Sequence, residues 1–189
     1  MDANAGGLQA PARQFEDTKK EAAELAGVLT EQQFNWRPAP ERWSIGQCLA
    51  HLATTDQALA AIDRAIDTAR TRGWLASGPF RYGWFTRWMI GSMEPPPKRR
   101  MRTFPIFTPA GGVLTRDEVL KTLTASRDRL LERIQGAAGL DLKRAIVVSP
   151  ASKLFRMPLG GYLAFLAAHD RRHLWQARQV RVASGFGNS

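Results

Sequence analysis

The sequence predicts an all-α protein, organised as a four-helix bundle with a long crossover between the second and third helices. Three observations lead to this fold class. Four segments repeat apolar residues at helical spacing. Two of these segments begin with the sequence of a capping box. The second and third are separated by residues 71–114, and a long crossover of this kind is a known bundle topology.

The first helix is predicted over residues 11–29. Its stripe consists of Phe15, Thr18, Ala22, Leu25 and Leu29. The second is predicted over residues 44–70 and begins at Ser44, which forms an S-x-x-Q capping box with Gln47. Its apolar stripe consists of Ile45, Leu49, Leu52, Leu59, Ile62 and Ile66.

The third helix is predicted over residues 115–136, with a capping box between Thr115 and Glu118 and an end at Gly136. Its stripe consists of Val119, Leu123, Leu130 and Ile134. The fourth helix follows the sequence Pro-Leu-Gly-Gly at 158–161 and ends before Gly185. One face carries Tyr162, Phe165, Leu166, His169, His173, Ala177 and Val180. Between these two helices, residues 146–148 are predicted to form a short extended piece.

The crossover at 71–114 is rich in aromatic residues, which a disordered linker would lack. A short helix is predicted over residues 84–90. We expect this insert to pack on the bundle, where it walls a pocket, covers the core or forms a dimer surface. The whole chain, residues 1–189, is predicted to form a single domain.

Composition points to a soluble, cytoplasmic protein. Apolar residues make up 44% of the chain, no stretch approaches the length of a membrane span, and no secretory signal is visible. The single cysteine excludes an internal disulfide and fits a reducing compartment. The net charge of +10 admits nucleic-acid binding, but the basic residues are dispersed apart from the run at 98–102 and no nucleic-acid motif accompanies them. Solvated helix surfaces or attraction of small anionic substrates explain the charge better.

The three histidines are the candidate functional residues. His169 and His173 are four residues apart and therefore project from one face of the fourth helix. His51 lies at the edge of the second helix's apolar stripe, where a residue faces a cleft between helices. If these helices are antiparallel, the three imidazoles fall at similar depth from one end of the bundle. Three imidazoles form an open metal site, although a histidine on an apolar stripe is more often a hydrogen-bonded core residue.

Other polar residues near the histidines have simpler explanations. Cys48 lies one turn before His51, but its place on the apolar stripe fits an inert buried thiol. Gln47 is explained by its capping box rather than by contact with a ligand histidine. Asp170 and Gln176 are candidates for orienting an imidazole, with Asp170 off the predicted inward face.

Arg172 is a candidate for binding a substrate carboxylate, although exposed helix surface is the more frequent situation for an arginine. Trp36 and Trp43 are expected to pack the loop before the second helix rather than to stack on a ligand.

Three stretches resemble the DinB/YfiT-like superfamily, specifically its DinB-like branch. They are residues 36–52, which include Trp43-Ser44-Ile45-Gly46-Gln47 and His51; residues 157–161; and residues 169–176, which begin His169-Asp170-Arg171-Arg172-His173. With the four helices and the long crossover, the similarity covers nearly the whole chain.

The resemblance implies an up-down-down-up four-helix bundle, often dimeric. It also implies a divalent metal, usually zinc or nickel, bound by His51, His169 and His173. Some relatives are transferases that use bacillithiol, mycothiol or glutathione, and others are isomerases or hydrolases. This suggests a low-molecular-weight thiol that attacks an electrophilic small molecule as thiolate. Two alternatives stay open: a metal- or ligand-binding stress-response module without turnover, and a basic interaction protein that uses its surface.

Overall fold

Helices dominate the part of the chain that the computed structural model describes, namely residues 7–97, 112–150, 152 and 154–186. The predicted all-α class is therefore confirmed at the level of secondary structure. The helices are α1 (Gln9–Gly27), α2 (Glu31–Asn35), α3 (Ile45–Ala53), α4 (Asp56–Thr71), α5 (Trp84–Met93), α6 (Arg116–Gly136) and α7 (Leu159–Arg181). Two short strands, β1 (Ile146–Val148) and β2 (Arg156–Pro158), pair in antiparallel orientation.

A short helix, α2, was not predicted from the sequence. It begins at Glu31, directly after the capping residue Thr30. The Thr30 hydroxyl accepts the backbone N–H of Gln33, and the Gln33 side chain accepts the N–H of Thr30. This is the same capping box that marks the start of α3, where Ser44 and Gln47 exchange both hydrogen bonds as predicted. The sequence signal for α2 was thus present, but the short helix has no long apolar stripe.

The second predicted helix is interrupted, which corrects the prediction of one helix over residues 44–70. α3 ends at Ala53 and α4 begins at Asp56, with Thr54 and Thr55 in non-helical conformations between them. The Thr54 hydroxyl donates to the carbonyl of Ala50. Threonine offers the backbone such alternatives to helical hydrogen bonds, and its branched side chain disfavours the helix interior. Apolar residues on both sides of the break are nevertheless buried.

The start of α6 is close to its predicted position, but its predicted capping box is wrong. Thr115 makes no side-chain capping bond. The carboxylate of Glu31 accepts the N–H of Arg116 instead, at 3.2 and 3.3 Å. A free N–H at a helix start is therefore satisfied by a residue of α2, a distant partner that local sequence does not reveal.

The insert lies very close to the backbone at the N-terminus of α7. A Cβ atom on Gly160 would lie 2.0 Å from the Tyr82 hydroxyl oxygen, and one on Gly161 would lie 2.6 Å from a Thr86 methyl carbon. Both neighbours belong to the insert, and Thr86 lies within α5. The two glycines thus provide the space that lets α5 pack against α7.

The core lies where the long helices meet. α1 and α3 each pack against both α6 and α7, while α4 packs against α6 and the strand β1. Two apolar clusters fill the interior, one around α4 and the hairpin and one around α3. Among the described helices, none is long and apolar enough to cross a membrane.

Candidate metal centre

The structure brings the three histidines together. His51 lies on α3, and His169 and His173 lie one turn apart on α7. Nε2 of His51 is 3.1 Å from Nε2 of His169, and the centroid of His173 lies 4.5 Å from the centroid of each of the other two rings. One nitrogen from each ring can be chosen so that all three lie within 4.8 Å of one another. The packing of α3 on α7 thus brings His51 to His169 and His173, a contact that the spacing in the sequence did not establish.

The surroundings of His169 and His173 favour neutral imidazoles. Burial lowers the pKa of His169 well below its usual value, and the nearby His173, His51, Arg127 and Arg172 lower it further. Burial also lowers the pKa of His173, as do His51 and Arg172. His169 is partly buried, and His51 and His173 are buried. Metal ligation needs the neutral form of the ring, so this environment keeps the lone pairs available.

The three imidazoles fit a divalent metal ion. Around a tetrahedral ion with metal–nitrogen distances of 2.0–2.1 Å, two ligand nitrogens are separated by about 3.3 Å. The separation between His51 and His169 is close to this value. In addition, Nδ1 of His173 is buried without a hydrogen-bond partner. A buried polar atom without a partner is costly, and a ligand at this ring would compensate for part of that cost.

Trp43 packs in the loop before α3, as expected, and its ring also contacts two of the histidines. Its ring stacks on His173 at 5.7 Å between centroids and 23° between planes, and it lies 5.0 Å from His51. Trp36 behaves as expected, because it packs edge-on against Phe186. The position of Trp43 directly before the capping residue of α3 gave no indication of which ring it would contact.

A buried ion pair supports α7 behind the histidines. Arg127 of α6 donates two hydrogen bonds to Asp170, at 2.7 and 2.8 Å, and a third to the Ser126 hydroxyl. Both charged residues are almost inaccessible, at 1% and 2% exposure. Burial raises the pKa of Asp170, whereas the charge and hydrogen bonds of Arg127 lower it. Asp170 therefore binds Arg127 instead of orienting an imidazole.

The prediction that Asp170 lies off the inward face of its helix was wrong. α7 is in contact with α1, α3, α5 and both strands, so it is buried around much of its circumference. The pattern of one apolar stripe assumes a helix that is covered on one side only. Arg127, the partner on α6, was not singled out from the sequence, because nothing local distinguishes a buried arginine from an exposed one.

The histidines border a cavity of about 1270 Å³. Its wall includes Met89, Met93 and Pro97 from the insert, so the insert walls a pocket, which was one of its three predicted roles. Phe155, Tyr162, Phe165 and Leu166 provide further apolar surface. This volume lies above the usual range of about 300–1,000 Å³ for a small-molecule site.

Arg172 is buried, at 9% exposure, which corrects the expectation of an exposed helix surface. It lines the cavity, and its guanidinium donates to the backbone carbonyl of Ser92 at 3.1 Å. Its neighbour Arg171 forms an ion pair with Glu94. Two consecutive arginines thus connect α7 with the end of α5, and the second is held at the cavity wall.

The remaining candidates are placed as follows. Cys48 is fully buried, and burial raises the pKa of its thiol, which agrees with an inert residue. Gln47 is used in the capping box of α3. Gln176 lines the cavity and favours the charged form of His173, although no hydrogen bond of standard geometry reaches the buried Nδ1 of that ring. The basic run at 98–102 lies outside the described residues.

Comparison with protein families places most of the chain within a known family. The family model described as the DinB superfamily matches residues 14–177. This range includes all three histidines, Trp43, Arg127 and Arg172. No curated protein and no solved structure matches the chain significantly.

Proposed function

The chain belongs to the DinB superfamily, and from this premise we propose that it binds a divalent metal, zinc or nickel, through His51, His169 and His173. One observation carries the proposal: three imidazoles from two helices converge within 4.8 Å at the wall of a large cavity. A metal ion bound by three histidines keeps an open coordination position and makes a thiol or water held there more acidic.

We further propose that the activity is S-transfer from a low-molecular-weight thiol to an electrophilic small molecule. In this reaction the thiol loses its proton to solvent, its sulfur bonds to the electrophilic carbon, and the leaving group departs with the bonding electron pair. The aromatic wall holds the electrophile beside the histidines. We also propose a cytoplasmic location, because a reducing compartment keeps low-molecular-weight thiols in the reduced form.

Loss of thiol in the presence of a dinitrobenzene halide tests this activity. The metal-loaded protein should consume glutathione or another common thiol faster than buffer does. Metal-free protein and the His51→Ala variant should show only the uncatalysed rate, because both lack the ion that lowers the thiol pKa. A protein that retains its metal but accelerates no thiol reaction would exclude the transferase and favour the non-catalytic binding module.

We also propose the up-down-down-up bundle and a homodimer for this chain. The mutual packing of α1 and α3 with α6 and α7 supports the bundle. For the dimer, α5 presents Trp84 and Trp88 at 79% and 60% exposure, which gives two copies an apolar surface to share. Light scattering should give twice the 21.0 kDa mass of one chain. A mass of one chain at micromolar concentration would contradict the pairing.

A further inference from the structure

The histidine centre needs contacts that hold its rings in place. A metal-binding imidazole is usually oriented by a hydrogen bond from its other ring nitrogen to a carboxylate or a backbone carbonyl. Among the described residues, Nδ1 of His173 has no hydrogen-bond partner. Asp170, the acidic residue of α7, binds Arg127 instead. The orientation of the His173 ring therefore depends on the side chains that pack against it.

Trp43 packs against this ring. Its indole stacks on His173 at 5.7 Å between ring centroids and 23° between planes. The same indole lies 5.0 Å from the ring of His51, at 53°. Aromatic rings prefer centroid distances of about 4.5–7 Å, and both contacts fall in this range. Because His51 lies on α3 and His173 on α7, one side chain contacts a histidine from each helix.

The fold also fixes the position of Trp43. The residue directly precedes Ser44, whose capping box with Gln47 holds the start of α3. Its side chain is half-buried and packs on the apolar cluster around α3. An indole has only two side-chain torsion angles, so little freedom is left once it is packed. Trp43 thus presents a rigid aromatic surface to the two histidines.

Trp36 provides an internal comparison. It lies in the same loop between α2 and α3 and is half-buried against the same apolar cluster. Its ring packs edge-on against Phe186, at 5.6 Å between centroids, rather than against a histidine. Packing of the loop accounts for Trp36, whereas the contacts of Trp43 extend into the centre.

We infer that Trp43 is a positioning residue of the metal centre, because its indole holds the rings of His51 and His173 in the orientation that presents one nitrogen of each to the same ion. This inference rests on the proposed function, although the ring contacts are present in the protein without metal. Removing the indole keeps all three ligand histidines but takes away a surface that limits the rotation of two rings. Binding of an ion then also costs the ordering of these rings, which lowers the affinity.

Zinc titration in competition with a chromophoric chelator tests the inference. Trp43→Leu should weaken zinc binding by about tenfold to hundredfold, the usual effect of losing a residue that orients a ligand. Trp43→Phe should recover part of the affinity, because it keeps an aromatic face. Trp36→Leu, the matched control, should bind zinc as tightly as the wild type. Equal affinity of Trp43→Leu and the wild type, or equal weakening by the two leucine variants, would overturn the inference.

Nuclear magnetic resonance of the metal-free protein gives a second readout. The chain has three histidines, so their ring protons give three sets of signals. Trp43→Leu should shift the sets that belong to His51 and His173, since these rings contact the indole. The signals of His169 should move less, and Trp36→Leu should leave all three sets in place. Equal shifts of the three sets, or none, would overturn the inference.

The two readouts separate this inference from the proposed function. A wild type that binds no zinc would contradict the metal centre, whereas the spectra of the metal-free variants still decide whether Trp43 orients the rings. A wild type that binds zinc as tightly as Trp43→Leu would leave the metal centre standing and overturn the positioning role. Far-ultraviolet circular dichroism confirms that each variant is folded.

Discussion

Individual residues carry the functional proposal, and the sequence identified only some of them. The three histidines were recognisable because no other histidine occurs in the chain and two are one helical turn apart. Trp43 and the Arg127–Asp170 pair were not, because their roles depend on contacts between residues distant in sequence. Local spacing reveals which residues share a helix face but not which helix they meet.

The buried ion pair makes the first prediction at this scale. Asp170→Asn leaves the Arg127 guanidinium buried without its counter-charge, and we expect the free energy of unfolding to fall by about 3–5 kcal/mol. Asp128→Asn provides the control. Asp128 is the neighbour of Arg127 on α6, and it forms a solvent-accessible ion pair with Lys19 of α1. That change should cost less than about 1 kcal/mol. Urea unfolding measures both.

Equal effects of these two variants would contradict the role of burial. A double replacement, Arg127→Met with Asp170→Leu, separates the loss of one partner from the value of the pair. Removing both charges should cost less than removing one, because no unpaired ion stays in the core.

At the level of elements, the sequence predicted long helices well and interruptions poorly. Periodic apolar residues and capping sequences located α1, α3, α6 and α7, as well as the short helix in the insert. The break at Thr54 and Thr55 was missed because the apolar stripe keeps its phase across it. The strand β2 was missed because Pro158, read as a helix start, also ends the hairpin.

The contact between the insert and α7 makes a prediction at this scale. Gly160→Ala places a methyl group 2.0 Å from the Tyr82 hydroxyl oxygen, so the insert must shift. We expect a loss of about 1–3 kcal/mol in the free energy of unfolding, typical of overpacking. Gly91→Ala is the control, because its Cβ would meet nothing within 4 Å and alanine favours a helix.

Tyr82→Phe should relieve this clash. It removes the nearest atom and leaves the next ring carbon 3.1 Å from the added methyl. Gly160→Ala should therefore be less destabilising in the Tyr82→Phe background than in the wild type, as measured by urea unfolding. An unchanged cost would show that the hydroxyl is not the obstacle.

For the whole molecule, the arrangement of helices, insert and hairpin explains why a distant pair of motifs forms one site. α3 contributes one histidine and α7 two, while α5 lines the adjacent cavity. Helix phase and depth predicted that the histidines could meet, whereas the volume and the lining of the cavity depend on the packing of the insert. Those properties follow from tertiary contacts that no local pattern encodes.

The metal content of the protein tests the central claim most directly. Protein prepared without a histidine tag, reconstituted with zinc or nickel and passed through a desalting column, is analysed by mass spectrometry of the metal. We expect about one ion per chain, and no stoichiometric binding in His51→Ala despite a helical spectrum like that of the wild type. Less than about 0.1 ion per chain in the reconstituted wild type would contradict the three-histidine metal centre.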